Sequence, residues 1–154
     1  MINSPNNLIK IFSFSMTSNL QLIVTFHNEQ LRLMQNQVVE IKDNLNSCND
    51  KEERKVLICE REIYINTYEK MLRINTFLMM YSHLEEFLYH IWKIFGKELI
   101  VTGNSLARFK SVINKVLCVD LGQDREWKLL RDLEKVRNCL LHANGRIDLL
   151  KDDN

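Results

Sequence analysis

Four glycines and a single proline in 154 residues leave this chain few means of turning. Glycine supplies positive φ and proline ends a helix, so a chain poor in both reads as long uninterrupted segments. Pro5 stands near the start, and Gly96, Gly103, Gly122 and Gly145 all fall late. Between them the apolar residues recur at three- and four-residue steps, the period of a helix facing a core. The expectation is an all-α chain.

The pattern predicts a first helix from about Thr17 to Leu45, with Leu20, Ile23, Val24, Leu31, Met34, Val38 and Ile41 on its apolar face. Residues 1–16 read as a flexible or partly helical lead-in. "NSCNDKEER" interrupts the run, and Asp50 with Glu53 three positions on has the form of a capping box. A second helix then runs from about Lys51 to Phe95, on the order of 70 Å if unbroken. Its strongest seam is Ile74, Phe77, Tyr81, Leu84, Leu88, Ile91 and Phe95. Upstream the seam slips to Leu57, Tyr64, Tyr68, Met71 and Leu78, which predicts a bend or a change of partner near Arg73. A third helix is expected from about Leu106 to Leu117. A fourth runs from about Asp124 to Ala143, with Leu129, Leu133, Val136 and Leu140 as its seam.

These elements predict one domain over 1–154, an up-and-down four-helix bundle. Because the first two helices outrun the last two, residues 35–68 should project as a helical hairpin or pack on another copy. Phe87 and Trp92 fall on opposite sides of the second helix's seam, more apolar flank than four helices can cover. A homodimer is therefore expected, with an isologous contact near the fourth helix.

Lys+Arg number 21 against 20 Asp+Glu, so no strong pull toward DNA or membranes is expected. The four cysteines (Cys48, Cys59, Cys118, Cys139) form no C-x-x-C pair and read as free thiols of a reducing cytosol. No apolar run reaches the roughly 18 residues of a membrane span, and the N-terminus lacks the basic start of a signal peptide. The expected location is cytoplasmic.

Chemistry concentrates in "EKVRNCLLHANGRID", residues 134–148. There a helix places Arg137, Asn138 and His142 before stopping at Asn144-Gly145. Arg137 and His142 lie five residues apart, about 140° around the axis. With Gly145 at C′, His142 falls in the final turn, where the helix dipole favours imidazolium. Such a pair can bind phosphate, and it can equally serve as two ordinary C-terminal cations. His83, Glu86 and His90 share one face of the second helix at metal-ligand spacing, but opposite its seam, and are expected to be solvated. Arg108, Lys110 and Lys115 read as a solvated helix face or an extended phosphate surface. "DKEERK" reads as a solvated charge run, and Trp92 and Trp127 as core. No phosphate loop, nucleophile elbow or zinc motif is present.

"VRNCLLHANG" resembles the signature of the HEPN superfamily, R-x4-6-H in the last core helix with a polar residue straight after the arginine. The motif covers about a dozen residues, and its helical context covers most of the chain. The resemblance implies a HEPN-type helical bundle and metal-independent cleavage of RNA, in a toxin or phage-defence effector. It implies a dimer in which two motifs face each other, and an antitoxin or other regulatory protein as a possible partner. Arg137, Asn138 and His142 would be the catalytic residues. Glu85, an acidic residue on a core helix bordering the seam, would be a third type of participant. Other members of the superfamily are catalytically silent modules that bind RNA, a nucleotide or a protein, and that alternative stays open. No cofactor or metal is expected.

Overall fold

The computed structural model describes residues 5–95 and 105–142, and every regular element among them is helical. Helix α1 spans Pro5–Ser47, α2 Lys51–Glu62, α3 Glu69–Phe95, α4 Ser105–Leu117 and α5 Arg125–His142. A π-helical segment, Ile63–Tyr68, joins α2 to α3 without a break. The all-α class is as expected, and a helical bundle accommodates these elements. Gly96, Gly103 and the helix stop at Asn144-Gly145 lie outside the described residues. No described helix is long and apolar enough to cross a membrane.

Helix α1 is already formed at Pro5, the first described residue, rather than beginning near Thr17, so residues 5–16 of the expected lead-in are helical. Tertiary contact supports it. Phe12 meets Phe87 edge to face at 6.4 Å between centroids and stacks on His90 at 6.3 Å. The local pattern of residues 1–16 carries no trace of those partners.

The chain forms two compact units, one of Thr17–Met80 and one of Met1–Met16 with Tyr81–Asn154. The first is a helical hairpin. Asp50 closes its turn by accepting from the backbone N–H groups of Glu52 and Glu53 at 2.8 and 2.9 Å. The carboxylate of Glu53 takes the Cys48 thiol at 3.3 Å, where the expected capping box would have it reach back to Asp50. Arg54 donates to the carbonyls of Leu45 and Cys48, two of the acceptors that the end of α1 leaves open. Farther along, His27 Nδ1 and Thr76 Oγ1 sit 2.8 Å apart and fix the register of the two arms.

The irregularity expected near Arg73 occurs at Ile63–Tyr68 instead. A π turn adds a residue to the helix, so the inward face steps by five there. It continues from Tyr64 to Glu69, Leu72 and Thr76, all half-buried. Tyr68 and Met71, placed on the seam by an unbroken α-helical count, are exposed. Beside the π segment a largely apolar cleft of about 270 Å³ is lined by Met34, Val38, Tyr64, Ile65 and Glu69.

The second unit holds a core in which Leu88 of α3, Leu106 of α4 and Trp127 of α5 meet. Leu84, Phe87, Phe109, Ile113, Leu121 and Leu130 pack around them. Leu106 and Val112 are 1% exposed, and burying such side chains contributes about 1.5–3 kcal/mol each. The seam expected on α5 is rotated. Leu129 and Val136 are exposed, while Trp127 and Cys139 are buried. The indole has the larger apolar surface to cover, and it lies about 200° from Leu129. Trp92 is half-buried, with its indole nitrogen enclosed and without a hydrogen-bond partner. All four cysteines are free thiols.

Candidate functional site

The start of α5 sets the orientation of everything after it. Asp124 accepts from the Trp127 backbone N–H at 2.7 Å, and its carbonyl accepts from Lys128 N–H at 3.2 Å. Trp127 then turns into the core. Asn138, eleven residues on, returns to within about 20° of it, and Arg137 lies about 80° to one side.

Arg137 is gripped from three sides. One terminal nitrogen donates to Glu85 Oε2 of α3 at 3.0 Å, and the other donates to Asn138 Oδ1 at 2.9 Å. Its guanidinium carbon lies 5.8 Å from the ring centroid of Tyr81, which is itself 3% exposed. The Arg137 and Glu85 side chains keep 28% and 26% of their surface exposed, so the pair is sheltered yet reachable from solvent. Burial pushes the Tyr81 phenol well above the usual tyrosine range, the carboxylates of Glu134 and Glu85 add to the shift, and Arg137 opposes it. The cluster thus sets one guanidinium between the Glu85 carboxylate and the Tyr81 ring. Since Asn138 gives its oxygen to Arg137, its amide nitrogen is the donor it can offer elsewhere.

Three of the four residues singled out in the sequence (Glu85, Arg137 and Asn138) come together. The fourth does not join them. His142, the last described residue of α5, is exposed, and its imidazole makes no hydrogen bond or ion pair among the described residues. Within one chain the arrangement can hold a guanidinium rigidly beside a carboxylate. A charge stabiliser and a proton acceptor are therefore adjacent, with an imidazole held apart on the same helix.

Tyr81, and Glu134 whose charge acts on its phenol, are not among the site residues that the sequence motif singles out. Their spacing carried the signal. Tyr81 lies one turn before Glu85 on α3, and Glu134 one turn before Arg137 on α5.

His83, Glu86 and His90 do not form a uniformly solvated face. Glu86 and His90 are exposed, but the His83 side chain is only 19% exposed and its Nε2 is enclosed without a partner. Glu86 lies 3.7 Å from His83 and 3.8 Å from His90. Among the described residues no group of three histidine, cysteine or acidic side chains is arranged to hold a metal ion. On α4, Arg108 and Lys115 are exposed and share a face, whereas the half-buried Lys110 lies about 200° from Arg108. Comparison with protein-family models, with curated proteins and with solved structures gave no match.

Proposed function

We propose that this chain is a metal-independent endoribonuclease of HEPN type, acting as a toxin or phage-defence effector, with Arg137, Asn138 and His142 at its site. One observation carries the proposal: the arginine of the R-x4-6-H motif is held by Glu85 and Asn138 in the last described turns of α5, which also carry the exposed His142. In the reaction the 2′-hydroxyl attacks its own phosphodiester. The 2′-O–P bond forms, the P–O5′ bond breaks, and a 2′,3′-cyclic phosphate and a 5′-hydroxyl result. The hydroxyl proton passes to a base and the leaving oxygen takes one from an acid. Arg137, which stays protonated, offsets the charge that develops on phosphorus-bound oxygens. His142 exchanges protons, Asn138 orients the phosphate, and Glu85 holds Arg137 or accepts the hydroxyl proton.

One arginine and one histidine, held apart in a single chain, make a sparse catalytic set. A second copy supplies another of each, so the proposed enzyme is a homodimer with a composite site. An antitoxin or other regulatory protein would hold it in check. A second reading has its own support: Glu85 and Asn138 already occupy the guanidinium, which suits a silent module that binds RNA, a nucleotide or a protein.

Total RNA incubated with the purified protein in EDTA decides between them. The enzyme gives fragments ending in cyclic phosphate. RNA that is bound but intact supports the silent module. Cleavage that is lost in EDTA and restored by a divalent ion overturns the proposed mechanism.

A further inference from the structure

The Thr17–Met80 hairpin leaves one long face uncovered. Leu22, Phe26 and Leu33 of α1 are 67%, 53% and 47% exposed. On the opposite arm Tyr68, Met71 and Met79 are 43%, 53% and 48% exposed. Helical geometry puts the first three within about 40° of one another, some 120° around α1 from His27. The second three lie on average about 90° around their helix from Thr76, in the same rotational sense. His27 and Thr76 touch, so both offsets are measured from the line where the arms meet. A two-fold axis perpendicular to the plane of an antiparallel pair exchanges its helices, so equal-handed offsets fall on one side. The two stripes therefore share a single face of the hairpin.

The area of that face is what a stable dimer needs. Six large side chains about half exposed present roughly 100 Å² each, on the order of 600 Å². A standard interface buries about 800 Å² per partner, and homodimers make some 65% of it apolar, or about 520 Å². The largest apolar patch on a typical monomer is about 300–600 Å². Charge narrows the occupant further. Residues 17–80 carry eight Lys+Arg against nine Asp+Glu, and Glu29–Arg32 and Glu69–Arg73 pair within their own helices. A strongly charged partner finds no counterpart here, whereas a surface of the same mixed, near-neutral character does.

We infer that the Leu22–Phe26–Leu33 and Tyr68–Met71–Met79 face is covered by the same face of a second copy of this chain, in an isologous two-fold contact between hairpins. The contact requires none of the chemistry proposed for Arg137.

The full chain, without RNA, tests this in two ways. Sedimentation equilibrium should show a dimer at tens of micromolar. Leu22→Glu/Leu33→Glu and Met71→Glu/Met79→Glu should each weaken it by ~100-fold or more while far-ultraviolet helicity is kept. Peroxide footprinting of the wild type needs no variant: Met71 and Met79 should oxidise several-fold more slowly at concentrations where the dimer forms than at high dilution. A monomeric wild type, or a dimer in which both methionines oxidise at the dilute rate, overturns the inference. So does a folded Leu22→Glu/Leu33→Glu variant that dimerises as tightly as the wild type. Loss of association with RNA cleavage intact, or the reverse, separates this failure from failure of the enzymatic proposal.

Discussion

Helix α3 has two environments along its length. From Tyr81 onward it has fully buried residues, Tyr81 and Leu88, and Leu88 meets Leu106 and Trp127 in the core. From Glu69 to Met80 no residue is fully buried, and Met71 and Met79 stand about half exposed. The hairpin unit as a whole has one buried residue, Ile41. Two helices touch along a line, whereas three or more enclose a volume. Amphipathic spacing shows that a helix has a face to cover. Whether the same chain covers it depends on how many helices converge there.

The largest effects should fall on the converging side. Trp127→Ala should cost about 3–5 kcal/mol in denaturant unfolding, by removing the indole at the centre of the core. Leu106 and Ile41 make the sharper comparison, at 1% and 2% exposed. Leu106→Ala should fall near the top of the ~2–5 kcal/mol range for such truncations. Ile41→Ala should fall near its bottom, because a two-helix seam can close over the gap. Equal costs would break the comparison.

Next comes the ion pair. Arg137→Ala should lower stability by about 1–2 kcal/mol, since it strands a partly sheltered Glu85 without its charged donor. A double-mutant cycle with Glu85→Gln should assign most of that loss to the pair, and a zero coupling energy would mean that the contact contributes nothing. The two units should respond alike at their helix starts. Asp50→Ala and Asp124→Ala should each cost roughly 1 kcal/mol by removing an N-cap acceptor.

The smallest effect at neutral pH belongs to Tyr81. Its phenol is raised in the fold, so folded and unfolded chains both keep the proton until about pH 10. Above that the unfolded chain releases it first, and stability falls as pH rises. Tyr81→Phe should flatten this alkaline slope and change little at pH 7. An unaltered slope would remove Tyr81 as its source.

Much of this was legible beforehand. The scarcity of glycine and proline announced helices, and the end of α4 at Leu117 and the start of α5 at Arg125 lie within a residue of expectation. Asp50 was read as a cap and is one. Other features depended on partners that no local window contains. The helix over residues 5–16 goes with Phe12 meeting Phe87 and His90. The π segment shifted Tyr68 and Met71 off the seam, an effect invisible to a strict 3.6-residue count. Trp127 overrode the regular leucine and valine spacing on α5. At the site, Glu85 meets Arg137 as its place beside the seam allowed. Tyr81 was read for packing alone, because the cation above its ring comes from a helix some fifty residues away.

The central claim is that Arg137 and His142 are chemical groups rather than helix-end cations. Single-turnover cleavage of RNA in EDTA by wild type, Arg137→Ala and His142→Ala tests it most directly, with dimer and helicity checked in parallel. The account predicts losses of about a hundredfold or more in both alanine variants and poor recovery in Arg137→Lys, because an ammonium cannot reproduce the planar fork. Equal cleavage by the wild type and both alanine variants would contradict it.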